Sequence, residues 1–159
     1  KKIAMVSPAS TSGGIYPQKV LVDAGFRLDK NIEIVWVGSH TEVARAVKKG
    51  LVHAGACYED CRDEVWPDLR TKMRSTRVLH YTDKIPPEMI MLRKDIPGPL
   101  KKRLHAALRA LSSERSVLAT MSEGESTITD VSPVGVGGLM PLRNILDELK
   151  KTPGARLPE

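Results

Sequence analysis

Residues 3–14 read IAMVSPASTSGG and pass directly from an apolar run to small polar residues. The apolar part, Ile3–Val6, is typical of a short buried strand, and Ser7 with Pro8 ends it. Apolar residues return at helical spacing between Val20 and Ala24. This order predicts a strand, a loop and a helix. It decides the fold class because the following residues repeat it.

The second half of the repeat begins at Gly25, which occupies a position typical of a left-handed helix C-cap. The β-branched run 32–37 then predicts a second strand. A helix over about 41–49, with Gly50 as its C-cap, and a third strand over 52–56 follow. Parallel strands joined by right-handed crossovers place their following loops at one edge of a sheet. The chain is therefore predicted to be α/β, with a doubly wound and mainly parallel sheet.

Beyond the third strand the pattern is mixed. A polar helix is predicted from about Glu59, with Pro67 interrupting or restarting it. A further strand is predicted over 77–81. The two prolines at 86–87 favour an extended crossing segment, after which residues 89–93 read as another short strand.

Helices are predicted in the C-terminal part. Residues 100–111 carry apolar side chains at helical spacing, which favours a helix with one face in the core. Residues 140–149 predict a final helix. The stretch 124–138 is rich in Ser, Thr and Gly, and is predicted to be loop.

The composition limits the class of protein. A chain of 159 residues that is 41% hydrophobic can build a packed core, and a net charge of +6 suits an anionic partner. With one Phe, two Trp and three Tyr, and with scattered Lys and Arg, the chain has no nucleic-acid footprint. No run approaches the roughly 18 apolar residues that a membrane-spanning helix needs.

Three hydroxyl residues, Ser10, Thr11 and Ser12, lie between a predicted strand and a predicted helix. Hydroxyl groups and free helix amides converge at such a position, which favours a bound oxyanion. An ordinary N-cap explains the same residues without a ligand. The loop lacks the Gly-x-x-x-x-Gly-Lys-Ser/Thr pattern of a P-loop, so chemistry on nucleoside triphosphates is disfavoured.

His40 follows the second predicted strand. Ser39 and Glu42 fit a capping box, which explains Ser39 but not His40. On this topology His40 projects near the same crevice as the hydroxyl loop and could donate a hydrogen bond to an anion. A solvated loop histidine is the alternative interpretation.

His53, Cys57 and Cys61 are spaced four apart, which on one continuous helix would align three metal ligands. A metal site is disfavoured because His53 falls in a predicted strand and closed zinc sites usually have four ligands. One pair of cysteines does not decide between a disulfide and free thiols. No metal or cofactor is predicted, and no Gly-x-Ser-x-Gly elbow supports a catalytic serine.

Three segments, in this order, resemble the phosphonate-binding proteins that serve ABC transporters. Residues 7–17 are similar to that family's Ser-Thr-Ser-Gly loop with its following Pro. Residues 38–50 resemble its Gly-Ser-His motif and Ala-Val-x-x-Gly helix end, and residues 85–95 resemble its Ile-Pro-x-acid crossing strand and Arg-Lys-Asp. The resemblance covers nearly the whole chain, with His53 standing where the family usually has Asp.

The resemblance implies a type II periplasmic-binding-protein fold, in which two α/β lobes close on a ligand. It divides the chain into a second lobe at 1–82, a hinge or crossing segment at 83–95, and C-terminal helices at 96–159. Those helices would return to a first lobe that is incomplete here, because the family's first half is missing from this sequence. Weak ligand binding is therefore expected of the chain alone.

The resemblance also implies site residues. The ligands of the phosphonyl oxygens correspond to Ser10, Thr11, Ser12 and His40. Family members that bind aminoalkyl phosphonates add acidic residues for the amine, and the matching positions are Glu88 and either Asp60 or its neighbour Glu59.

The expected function is solute binding for an ABC transporter, without enzymatic activity. The ligand would be a phosphonate, phosphite or phosphate-like anion, captured in the periplasm or elsewhere outside the cytoplasm and delivered to a permease. A ligand-sensing domain of a membrane signalling protein, built on the same fold, is the alternative. A third possibility is a phosphoester-processing enzyme with Ser12 or His40 as nucleophile or base.

Overall fold

The chain has a mixed α/β fold built around a small parallel sheet. Its computed structural model describes residues 1–87, 89–121 and 128–158. Three strands pair in the order β2-β1-β3, all parallel. They are β1 (Lys2–Met5), β2 (Glu33–Trp36) and β3 (Ala54–Gly55). In register, Ile3 lies opposite Ile34 on one side and Ala54 on the other. The predicted mixed fold and its parallel strands are confirmed.

The helices of the described residues are α1 (Tyr16–Asp23), α2 (His40–Lys48), α3 (Leu69–Ser75), α4 (Gly98–Leu111), α5 (Arg115–Met121) and α6 (Met140–Leu149). A π-helical turn at Thr11–Ile15 leads directly into α1. Shorter 3-10 turns occupy Cys61–Glu64 and Val136–Leu139. The predicted C-caps are confirmed, since Gly25 and Gly50 have φ angles of 81° and 69°.

The crossover rule for parallel strands places two helices on opposite faces of the sheet. The crossovers from β1 to β2 and from β2 to β3 run in opposite directions, which places α1 and α2 on opposite faces when both are right-handed. The core between α2 and the sheet is formed by Ala4, Val6, Val43, Ala46 and Val52. A second cluster joins α1 to α6 through Ile15, Tyr16 and Leu149, with Ile85 packed against it.

The chain forms two compact units. One contains Lys1–Pro86 together with Leu139–Glu159, and the other contains Pro87–Gly138. The C-terminal residues join the first unit because α6 packs on α1 and because Gln18 hydrogen-bonds the backbone of Arg156. The sequence-based division at 82 and 95 has different boundaries, and its assignment of the parts to lobes stays a prediction.

Two predicted strands are wrong. Residues 77–81 and 89–93 form no strand pairing. Val78, Leu79 and Tyr81 are 44%, 70% and 58% exposed. An apolar, β-branched pattern favours an extended backbone. A strand also needs a neighbouring strand that completes its hydrogen bonds.

Helix α4 was predicted with one face in the core, and this is wrong for the chain as it stands. None of its residues is buried, and Leu100 is 45% exposed. Helix α5 was not predicted. Within the predicted loop 124–138, residues 124–127 lie outside the described residues, 128–135 have no regular structure and 136–138 belong to a 3-10 turn.

The polar helix predicted from Glu59 is present as two pieces. The 3-10 turn begins at Cys61, and α3 begins at Leu69 after Asp68 accepts a hydrogen bond from the N–H of Thr71. Pro67 lies between them, as expected for a residue that cannot continue a helix. No helix in the part of the chain that the structure describes is long and apolar enough to cross a bilayer.

Candidate functional site

Most of the residues predicted to bind a ligand follow the carboxyl ends of the three strands. Residues 6–14 follow β1, residues 37–40 follow β2 and residues 56–60 follow β3. Because the strands are parallel, these segments emerge at one edge of the sheet, and we call them the carboxyl-edge loops. The strand order changes direction around β1, which is where open α/β sheets form their ligand crevice.

A single residue, Val6, joins the first two carboxyl-edge loops. Its N–H donates to the carbonyl oxygen of Gly13 over 2.8 Å, and its own carbonyl oxygen accepts from the N–H of Gly38 over 2.9 Å. The hydroxyl segment and the segment that holds His40 are therefore attached to the same residue, immediately after the central strand. The two segments lie together, as the topology predicted.

Within the first loop, the three hydroxyl residues have different roles. Ser10 caps the helix, whereas the hydroxyl groups of Thr11 and Ser12 take no part in the cap. The Ser10 Oγ accepts from the N–H of Gly13 over 3.1 Å, so the ordinary N-cap role is real. Thr11 and Ser12 are half-buried, and neither hydroxyl has a hydrogen bond to another described residue. Their role as anion ligands stays a prediction.

Gly13 and Gly14 shape this loop, and the sequence reasoning did not single them out. A Cβ at Gly13 would overlap the side chain of Val6, and a Cβ at Gly14 would overlap the carbonyl oxygen of Ser7. The backbone of the loop therefore lies directly on the end of β1. Two consecutive glycines at a strand-to-helix turn were the available signal, since glycine permits such close approach.

His40 is the first residue of α2 and is held by the third carboxyl-edge loop. Ser39 caps the helix by accepting from the N–H of Glu42 over 3.2 Å, which confirms the cap. The Nδ1 of His40 accepts from the N–H of Tyr58 over 3.2 Å. The two rings meet edge to face with centroids 4.7 Å apart. Burial lowers the pKa of His40, partly opposed by the charge of Glu64.

A carboxylate that the sequence did not indicate ties this region together. Glu64 accepts hydrogen bonds from the hydroxyl groups of Thr41 and Tyr58. These bonds, the Thr41 bond first, lower the pKa of Glu64. The residues come from three different segments, so no spacing in the sequence could have shown the cluster.

The two acidic residues of the third loop differ in the partners that their carboxylates contact. Asp60 accepts from Arg62 Nε over 2.7 Å and from Lys72 Nζ over 3.2 Å. These contacts, Arg62 above all, hold the pKa of the Asp60 carboxyl well below its usual range. Glu59 is exposed, and its charge raises the pKa of the Tyr81 phenol, which hydrogen-bonds to it.

The remaining predicted residues lie elsewhere. Glu88 lies outside the described residues. His53 lies immediately before β3 and not within the strand that was predicted over 52–56, at the opposite edge of the sheet from His40, and its Nδ1 accepts from the N–H of Lys2 over 3.1 Å. Cys57 and Cys61 form a disulfide, which excludes them as thiolate ligands in this state. The described residues contain no cluster suited to a metal ion.

A shallow groove of about 510 Å³ lies along α4 in the second compact unit. It is lined by Gly98, Lys101, Lys102, His105, Ala106 and Arg109. It is basic, but it includes none of the predicted ligands. The geometry that joins several predicted residues is at the carboxyl edge of the sheet.

Comparison with known proteins is consistent with the mixed α/β fold described above. The sequence model of the family described as "ABC transporter, phosphonate, periplasmic substrate-binding protein" matches residues 1–133. No solved structure gives a significant match to the chain.

Proposed function

Since the chain belongs to the family of phosphonate periplasmic substrate-binding proteins of ABC transporters, we propose that it binds a phosphonate or a related phosphorus oxyanion at its carboxyl-edge loops. The family is one of transport proteins and not of enzymes, and its periplasmic character implies an extracytoplasmic location. The disulfide between Cys57 and Cys61 suits that location.

The observation that supports the site most strongly is the attachment of two loops to Val6. It brings hydroxyl groups, the free amides of a helix start and an imidazole to one edge. In our proposal Thr11 and Ser12 donate through their hydroxyl groups, Ser10 donates through its O–H while its Oγ keeps the cap, and His40 donates from Nε2. A phosphonyl group, with three acceptor oxygens, can use several such donors at once.

For a ligand that also carries an amine, Glu59 is the better of the two carboxylates in the third loop. Asp60 is already paired with Arg62 and Lys72, and breaking these pairs would leave the partly buried Arg62 guanidinium without its carboxylate, while Lys72 would keep only Asp63. Glu59 is exposed and holds only the neutral phenol of Tyr81 among the described residues. Glu88 stays a third proposed position, on the strength of the resemblance alone.

We further propose that ligand capture needs a first lobe and that the loaded protein delivers its ligand to a permease. In this proposal the carboxyl-edge loops form one side of the binding crevice, and a lobe on the other side excludes water from the bound anion. Binding by the described chain should then be weak but detectable.

The test is an NMR titration of the ¹⁵N-labelled chain with methylphosphonate, 2-aminoethylphosphonate, phosphite, phosphate and sulfate. We expect the amide signals of residues 10–13 and 38–40 to move with at least one phosphorus anion. His40→Ala should abolish these changes, while His80→Ala, at an exposed histidine, should leave them intact. Absence of any change with all five anions would remove the site assignment and leave only the family.

A further inference from the structure

The loop after β3 is closed on itself and attached to His40. A disulfide joins Cys57 to Cys61 and encloses Tyr58, Glu59 and Asp60. Cys61 is 1% exposed and packs in a cluster with Ala44 of α2. The loop is thereby anchored beneath the helix that begins with His40.

The contact between this loop and His40 fixes where the imidazole carries its proton. Nδ1 accepts a hydrogen bond from the N–H of Tyr58, so it is unprotonated. In the neutral ring the proton must then lie on Nε2. Nε2 has no hydrogen-bond partner among the described residues, and it is left as a donor.

Glu64 hydrogen-bonds to a residue on each side of the contact between this loop and His40. Its carboxylate accepts from the Tyr58 phenol in the loop and from the Thr41 hydroxyl in the first turn of α2. The loop and the helix start are therefore fixed to the same group. A ring that packs edge to face against Tyr58 and accepts from its backbone has little freedom to turn.

We propose that the disulfide-closed loop Cys57–Cys61, together with Glu64, positions His40 as an Nε2–H donor to the bound anion. This inference rests on the proposed function, because it needs His40 to contact the ligand. The loop residues act through His40 and need not touch the anion. Without the crosslink the loop samples more conformations, and the N–H of Tyr58 no longer selects one tautomer.

The test combines tautomer and affinity measurements on the full chain. Long-range ¹H–¹⁵N NMR spectra report which imidazole nitrogen carries the proton, and methylphosphonate titration reports affinity. The variants are Cys57→Ala with Cys61→Ala, which opens the loop, and Tyr58→Phe, which removes the phenol bond to Glu64. The second variant keeps the disulfide and the buried Cys61, so it remains informative if the first variant folds poorly.

His53 is an internal control in every spectrum. Its Nδ1 also accepts a backbone hydrogen bond, from Lys2, but at the opposite edge of the sheet. We expect the unsubstituted chain to show the Nε2–H tautomer at both histidines. Both variants should shift His40 toward a tautomer mixture and leave His53 unchanged, and affinity should fall roughly three- to tenfold, equivalent to about 0.6–1.4 kcal/mol.

The outcomes separate the two proposals. Unchanged His40 tautomer and affinity in both variants, with binding still lost in His40→Ala, would overturn the positioning role and leave the site intact. If His40→Ala itself binds methylphosphonate normally, the site assignment falls and the positioning role falls with it.

Discussion

Gly14 shows how tightly the proposed anion loop is packed. A Cβ at this position would overlap the carbonyl oxygen of Ser7, which is backbone and cannot rotate away. We therefore expect Gly14→Ala to lower the free energy of unfolding by about 1–3 kcal/mol, as overpacking usually does. Gly98→Ala is the matched control, because a Cβ there meets no atom within 4 Å. Urea unfolding of both variants checks the prediction, and equal stabilities would contradict it.

His40 gives the chain a predictable response to mild acid. Its pKa is lowered, chiefly by burial and despite the opposing charge of Glu64. Below about pH 6.5 the unfolded chain binds a proton that the folded chain excludes. This contribution to stability is therefore fully present above that pH and is lost as the pH falls toward the lower, folded-state pKa.

The substitution His40→Asn tests this response. The Asn side-chain oxygen can replace Nδ1 as an acceptor for Tyr58 but does not titrate. We expect the variant to lose less unfolding free energy than the unsubstituted chain between pH 7.5 and pH 5, measured by urea denaturation. His80→Asn, at an exposed side chain, should behave like the unsubstituted chain. A parallel loss in all three proteins would show that another group is responsible.

At the scale of elements, Gln18 connects α1 to the C-terminal segment. The side chain is fully buried, and its amide donates to the carbonyl oxygens of Gly14 and Arg156 while its oxygen accepts from the N–H of Arg156. Gln18→Ala would remove all three of these hydrogen bonds. We expect a loss of about 1–3 kcal/mol in unfolding free energy.

The same prediction has a local readout. Hydrogen exchange at the Arg156 amide should accelerate in Gln18→Ala, because that amide loses its acceptor. Arg156→Ala is the control, since it removes only an exposed side chain and keeps both backbone bonds. If that variant is destabilised as much as Gln18→Ala, the amide pairing is not the cause.

The elements that could be predicted from sequence are those whose determinants are local. Strand β1, the C-cap at Gly25, the Ser39 cap and helix α6 follow from neighbouring residues, and each was found. Residues 77–81 failed because a strand depends on a neighbour distant in the chain. Tyr58 and Glu64 were missed for a related reason, since they reach His40 only through tertiary contacts.

At the scale of the whole molecule, α4 is amphipathic without a covered face. Its apolar positions follow helical spacing, yet none of its residues is buried. Met89, Ile90 and Met91 are also exposed, by 40%, 53% and 83%. Exposed apolar side chains in such numbers are typical of a surface that contacts a partner. We propose that the first lobe implied by the family covers it.

Leu100 tests that proposal, because truncating a leucine is costly only where it is buried. In this chain Leu100 is 45% exposed, and we expect Leu100→Ala to change the free energy of unfolding by less than about 0.5 kcal/mol. In a longer protein that adds a complete first lobe before Lys1, the same substitution should cost about 2–5 kcal/mol. Lys101→Ala, on the basic face, should be close to neutral in both proteins.

Ligand affinity provides the second half of the test. Enclosure between two lobes buries more of the anion than one edge of a sheet can, so the longer protein should bind methylphosphonate at least tenfold more tightly than this chain. Isothermal titration calorimetry of both proteins measures the difference, and His40→Ala should remove binding from each. Micromolar or tighter binding by the present chain, together with an equal cost of Leu100→Ala in both proteins, would mean that the carboxyl-edge loops bind the anion without a second lobe.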